Sequence, residues 1–159
     1  MNVEPWTTPQ DVISRARDGD LIEFKRAYGV YCHWAVYIGN GYVVNYGRKD
    51  PTPAIVQKEK LIQVAEDCPC RINNLTGAAS DLNLTPFPRD EIVERALAKV
   101  GKKYEYKLSK NNCECFATEC RYGTGFTCQP TEAVIAAGHA MGGGALGYEA
   151  GKRAVASGS

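Results

Sequence analysis

The chain has 159 residues, enough for one domain with a core of its own. A content of 44% hydrophobic and 23% charged residues is ordinary for a globular protein. Nineteen basic residues against eighteen acidic ones leave a net charge of +1, which speaks against a nucleic-acid binder held by bulk electrostatics. The start, Met1-Asn2-Val3-Glu4-Pro5-Trp6, lacks the basic and apolar runs of a secretory signal. The seven cysteines are therefore expected as thiols in a reducing, cytoplasmic setting, most of them as small buried apolar groups. Cys68-Pro69-Cys70 and Cys113-Glu114-Cys115 are C-x-C pairs, tighter than the spacing common in zinc sites; they are a weak zinc signal that stays a minor alternative to the expectation of no metal.

Taken in chain order, residues 1–18 form a short lead in which Thr8-Pro9-Gln10-Asp11 caps a brief turn. Asp20 to Phe24 reads as a strand, and Lys25 to Gly29 as a polar connection. Tyr31 to Ile38 is a second strand, with Trp34, Val36 and Ile38 on one face and His33, Ala35 and Tyr37 on the other. Gly39-Asn40-Gly41 is a hairpin signal, and Tyr42 to Tyr46 returns as the partner. Ala54 to Val64 reads as another strand or two with charged exposed positions, and Arg71 to Leu75 as one more. Residues 76–89 read as a polar loop. Asp90 to Val100 is a helix with Ile92, Val93, Ala96, Leu97 and Val100 on one stripe, Asp90 as N-cap and Gly101 as its stop. Tyr104 to Leu108 is a short extended piece. A second helix begins near Asn112 and places Cys113, Phe116, Ala117 and Cys120 on one face, with Gly123 and Gly125 ending it. Thr131 to Ser159 is a Gly/Ala-rich tail without eighteen consecutive apolar residues, so a spanning helix is not expected there. The domain expectation is thus a catalytic domain over 1–130 and a tail over 131–159.

The chemistry lies in two segments, His33-Trp34-Ala35-Val36-Tyr37-Ile38-Gly39 and Asn111-Asn112-Cys113-Glu114-Cys115-Phe116. Cysteine attacks as a thiolate, whereas a free thiol with a pKa near ~8.5 is mostly protonated at neutral pH. A helix start and a nearby imidazolium both favour the anion. Of the two histidines, His139 sits in the tail and His33 in an ordered strand, which makes His33 the candidate base. Singly, a buried helical cysteine and a packed histidine are the plainer readings; together they form a Cys-His pair. A third group should accept the second ring N–H. A three-residue hairpin loop with Gly41 left-handed would pair Ala35 with Asn45 and His33 with Gly47. Asn45 then lies one diagonal step from His33 and orients it; a two-residue loop would turn Asn45 away. A neutral amide suffices for that role. The oxyanion donor would be the backbone N–H of Cys113, at the helix start.

Five blocks carry a family resemblance: Gly19-Asp20-Leu21-Ile22-Glu23, the run from His33 to Val44, Tyr106-Lys107-Leu108, Asn112-Cys113-Glu114, and Arg121-Tyr122-Gly123. In order and spacing they resemble the lecithin:retinol acyltransferase-like family, most closely its small phospholipase A and acyltransferase branch. The resemblance implies an α+β fold, an antiparallel sheet packed on helices, in the circularly permuted papain-like arrangement of the NlpC/P60 type. It implies a thioester acyl-enzyme at Cys113 with His33 as base, no cofactor, and glycerophospholipid substrates. Water as acceptor gives phospholipase A1/A2 action; an amine or a lysolipid gives acyl transfer. Many members carry a second histidine in place of Asn45, though asparagine also occurs, and many read Asn-Cys-Glu-His-Phe where this chain has Cys115. The family often ends in a hydrophobic anchor, for which Thr131 to Ser159 is a poor match, so weak, peripheral membrane contact is expected. Lys99, Lys102, Lys103, Lys107 and Lys110 read either as a solvated rim or as a surface for phosphate headgroups. Two other readings stand beside this one: a permuted cysteine peptidase or amidase, and a catalytically silent binding module like viral 2A proteins.

Overall fold

The computed structural model describes residues 3–26, 29, 31–47, 53–104 and 112–128, with only the backbone of Asn112. The chain divides into two compact units, Met1–Asn74 with Phe87–Tyr104, and Leu75–Pro86 with Glu105–Ser159. The Tyr104 to Leu108 piece beyond its first residue, Lys107, Lys110 and the tail lie outside the described residues.

The first unit is built on a five-stranded antiparallel sheet in the order β4-β3-β2-β1-β5. Its strands are β1 (Leu21–Arg26), β2 (Tyr31–Gly39), β3 (Tyr42–Gly47), β4 (Ile55–Lys60) and β5 (Cys70–Ile72). Three helices accompany it: α1 (Pro9–Arg15), α2 (Leu61–Ala65) and α4 (Arg89–Ala98). Helix α1 starts as its sequence suggests, with Pro9 in the first turn and the Thr8 hydroxyl accepting from Asp11 N–H at 3.1 Å.

One face of the sheet carries Ile22, Phe24, Ala35, Tyr37 and Val43, which pack with Val12 of α1 and with Leu61, Val64 and Ala65 of α2. Leu21, Trp34, Val36 and Val44 point to the opposite face and are buried too. A sheet covered on both sides explains why β2 reads as a nearly continuous apolar run rather than as a clean alternation. Helix α4 packs against β2, and Arg89 at its start donates to Asp20 Oδ1 at 2.8 Å. Asp20 is 4% exposed and also accepts from Arg17 N–H and from the Asn74 amide, so it joins the start of β1 to α4.

Several expectations need correction. The stretch Ala54 to Val64 is one strand followed by a helix, because Leu61, Val64 and Ala65 fall on one helical stripe that seals the core. Pro88, not Asp90, caps α4; Asp90 lies within its first turn. Gly101 is left-handed (φ 86°), but two residues beyond the C-cap Lys99, where its N–H donates to Val56 O. Residues 76–89 are not all loop.

The second unit contains α3 (Thr76–Asp81) and α5 (Asn112–Tyr122). Ala79 of α3 is buried in a small cluster with Tyr122 and Phe126, which gives this short helix its anchor. Gly123 follows α5 in the left-handed region (φ 83°), as its place after Arg121-Tyr122 suggests.

Candidate active site

Three neighbouring strands place the polar cluster around His33. The hairpin between β2 and β3 turns through Asn40 and Gly41, both left-handed (φ 55° and 80°), so its loop has two residues and not the expected three. The register is nevertheless the expected one, with Val36 opposite Val44 and Tyr37 opposite Val43. The ladder shifts between Tyr37 and Gly39, and the extra residue, Ile38, takes up the difference as a bulge. A plain two-residue hairpin would have sent Asn45 to the other face.

With that register, Asn45 and His33 share a face, and Asn45 Oδ1 lies 2.9 Å from His33 Nε2. Asn45 is 4% exposed. Gly47 borders the pair: a Cβ there would make ordinary contact, 3.7 Å from both Asn45 Oδ1 and His33 Cε1. On the far side of Asn45, β4 pairs Gln57 with Asn45 and Glu59 with Val43. The Asn45 Nδ2 donates to Gln57 O at 3.3 Å and to Glu59 Oε2 at 3.2 Å. Glu59, read from sequence as an exposed charge, is half-buried; its neighbours Lys58 and Lys60 are the exposed ones. It is the residue that sequence reasoning missed. The signal was available in the alternation of β4, which puts Gln57 and Glu59 on the face of Asn45 once the register is known.

The imidazole itself is packed and electrostatically mixed. Phe24, directly opposite on β1, has its ring centroid 5.9 Å from that of His33. Arg26 lies over the Phe24 ring, 5.6 Å from its centroid, and its guanidinium donates to the carbonyls of Val64 and Ala65 at the end of α2. Burial pushes the His33 imidazole below its ordinary value; the Asn45 hydrogen bond pulls it back up, Arg26 pushes it down, and Glu59 and Glu66 pull it up.

In the second unit, Cys113 is half-buried in the first turn of α5. Phe116, Ala117 and Cys120, the rest of its expected face, are fully buried. So are Glu114, Cys115 and Thr118, which makes α5 a helix enclosed nearly all round. Its first turns are strapped to the chain that follows. The Glu114 carboxylate accepts from the Thr127 hydroxyl and from Cys128 N–H at 2.8 Å, and Thr118 Oγ1 accepts from Phe126 N–H at 2.9 Å. Cys115 is fully buried, as a small thiol side chain readily is. Thus His33 and Asn45 meet in the first unit, and Cys113 belongs to the second.

The seven cysteines are all described, and none is in a disulfide. Burial pushes the Cys70 thiol up to about 11, the behaviour of a core thiol. Among the described residues no group of three His, Cys, Asp or Glu is placed to hold a metal ion, and no helix is long and apolar enough to cross a membrane.

Residues 14–126 match the family model described as Lecithin retinol acyltransferase, a span that contains both the His33 and the Cys113 blocks. The chain belongs to this family. The chain is similar to human Phospholipase A and acyltransferase 2, 39% identical over 142 residues, covering 80% of this chain and 84% of the relative. Mouse Phospholipase A and acyltransferase 3 is 37% identical over 140 residues, covering 79% and 83%. Rat Phospholipase A and acyltransferase 1 is 36% identical over 129 residues, covering 73% and 74%. The α+β architecture, an antiparallel sheet with helices, agrees with membership in the family.

Proposed function

We propose that this protein is a cysteine-dependent phospholipase A and acyltransferase acting on glycerophospholipids, in keeping with its relatives' names and their coverage of the chain. The observation that carries the site assignment is the 2.9 Å contact between His33 Nε2 and Asn45 Oδ1. An amide oxygen only accepts, so Nε2 carries the ring proton and Nδ1 keeps its lone pair. In the proposed reaction Nδ1 of His33 takes the Cys113 thiol proton, and the sulfur attacks an sn-1 or sn-2 ester carbonyl. The Cys113 N–H, in a first turn whose amides point out along the helix axis, supports the oxyanion. Collapse of that intermediate breaks the ester C–O bond, and the imidazolium returns its proton to the departing lysophospholipid oxygen. Water, an amine or a lysolipid then attacks the thioester with the same base, and the Cys113 thiol is regenerated.

On this reading residues 1–130 form the catalytic domain, in the permuted papain-like order with histidine before cysteine. The chain meets its substrate at a membrane surface, peripherally and from the cytoplasmic side. Cys113→Ser is the control for the test, which is mass spectrometry of the intact protein after brief exposure to phosphatidylcholine vesicles. An added acyl mass on Cys113, absent in the variant, is the expected result. Acyl mass on another cysteine would reassign the nucleophile. Turnover of an amide or peptide library with none of phospholipid would replace the lipid reading with the peptidase one.

A further inference from the structure

Hydrogen-bond direction in the His33 cluster is decided two strands away from the imidazole. A primary amide can present either its oxygen or its nitrogen to a neighbour, and an imidazole can carry its proton on either nitrogen. Asn45 and His33 alone would therefore admit two arrangements, one of which protonates Nδ1 and removes the base. The groups behind Asn45 break the tie. A carboxylate and a carbonyl only accept, and Glu59 Oε2 (3.2 Å) and Gln57 O (3.3 Å) both face Asn45 Nδ2. Oδ1 is left for His33, and His33 must donate from Nε2.

We propose that Glu59 is a positioning residue that fixes the Asn45 amide and, through it, the proton-bearing nitrogen of His33. The plainer account makes Glu59 a surface charge on β4, the edge strand of the sheet. Three observations weigh against that account. Glu59 is half-buried between exposed lysines. It shares a sheet face with His33 and Asn45 through two diagonal steps in the same sense, Gly47 to Asn45 on β3 and Gln57 to Glu59 on β4. Its oxygen also bonds Asn45, whose amide oxygen lies 2.9 Å from the imidazole Nε2. Among the described residues the charged groups acting on His33 are Arg26 from β1, Glu59 from β4 and Glu66 after α2. Removing the Glu59 charge takes away one of the two carboxylates that favour the imidazolium.

The kinetic side of this proposal rests on the acyl-transfer reading; the tautomer does not. The test is ring ¹⁵N NMR of His33, assigned with His139→Gln, on the full chain at a pH where the imidazole is neutral. It is run for wild type, Glu59→Gln and Glu59→Asp. Glutamine keeps the size of the side chain but donates as well as accepts, so only the 3.3 Å contact with the Gln57 carbonyl is left to dictate the amide. The expected result is Nε2–H alone in wild type and Glu59→Asp, and a measurable Nδ1–H fraction beside a remaining Nε2–H majority in Glu59→Gln, where the Gln57 carbonyl still favours the original amide orientation. In phosphatidylcholine hydrolysis, Glu59→Gln should lower kcat about tenfold, by analogy with groups that orient a metal-bound imidazole, with KM within about twofold. The acid limb of its kcat/KM profile should move to lower pH. A folded Glu59→Gln with pure Nε2–H, unchanged kcat and an unmoved limb overturns the proposal. Wild type that shows Nε2–H but never turns over phospholipid would sink the acyl-transfer reading and leave the relay standing.

Discussion

Asn45 lies one diagonal step from His33 across β2 and β3, and its amide oxygen meets the Nε2 of the ring at 2.9 Å. Replacing Asn45, itself 4% exposed, with alanine removes the acceptor of the imidazole N–H and one donor to the half-buried Glu59 carboxylate. We expect a loss of about 1–3 kcal/mol in urea unfolding and a fall in kcat for phosphatidylcholine of about ten- to a hundredfold. Asn45→His should keep most of the activity, because a ring N–H can still donate to Glu59 while the second nitrogen accepts from His33. Full activity in Asn45→Ala would remove Asn45 from the site.

Stability should depend on pH through His33. Its folded value is pushed below the ordinary value of 6.5, chiefly by burial. Below about pH 6.5 the unfolded imidazole binds a proton that the folded one still refuses. The contribution is therefore complete above 6.5 and is lost as the pH falls toward the lowered folded value. Urea midpoints measured from pH 7.5 down to pH 5 should fall more steeply for wild type than for His33→Gln. Parallel curves would contradict the burial of the ring.

Thiol reactivity should sort by exposure. Cys128 is exposed and Cys113 half-buried, whereas Cys70, Cys115 and Cys120 are fully buried. With the Cys70 thiol pushed up to about 11, its thiolate is scarce at neutral pH. Brief iodoacetamide treatment of native protein, followed by peptide mass spectrometry, should label Cys128 and Cys113 and spare the buried three. Labelling of Cys70 as fast as Cys128 would show that the β1–β5 end of the core is open.

Glu114 offers a separate measurement of how the start of α5 is held. Its buried carboxylate accepts from the Thr127 hydroxyl and from Cys128 N–H. In Glu114→Gln the amide oxygen can keep the Cys128 N–H while the amide nitrogen faces the Thr127 hydroxyl, which must turn from donor to acceptor, so two charge-assisted bonds become neutral ones. The expected cost is about 1 kcal/mol by urea unfolding. An unchanged midpoint would mean that the strap from Thr127 and Cys128 adds nothing to the helix.

Much of the His33 site was legible because strands reveal their faces by alternation. Once Asn45 is required beside His33, only one register serves, and the observed register is that one. The device that produces it was not legible: a two-residue turn plus a bulge and a three-residue loop give the same pairing farther down the ladder. Helix α2 was hidden because five residues complete barely more than one turn, too few to show a period, and they follow an alternating strand without a break. Glu59 was hidden because its neighbours are charged, and a strand in isolation does not tell which of its two faces is covered. Helix α5 was plain from Phe116, Ala117 and Cys120, but the enclosure of Glu114 and Thr118 depends on the chain returning at Phe126 to Cys128.

The surplus residue at Ile38 gives the hairpin tip an influence beyond its own turn. Every side chain of β3 takes its side from the count of residues in that tip, so losing or gaining one would present Val44 or Tyr46 to the imidazole in place of Asn45. Chain length there is as much part of the site's identity as the choice of amide. Relatives that alter the tip are therefore expected to do so by two residues at a time, or to move the partner of the histidine along with it.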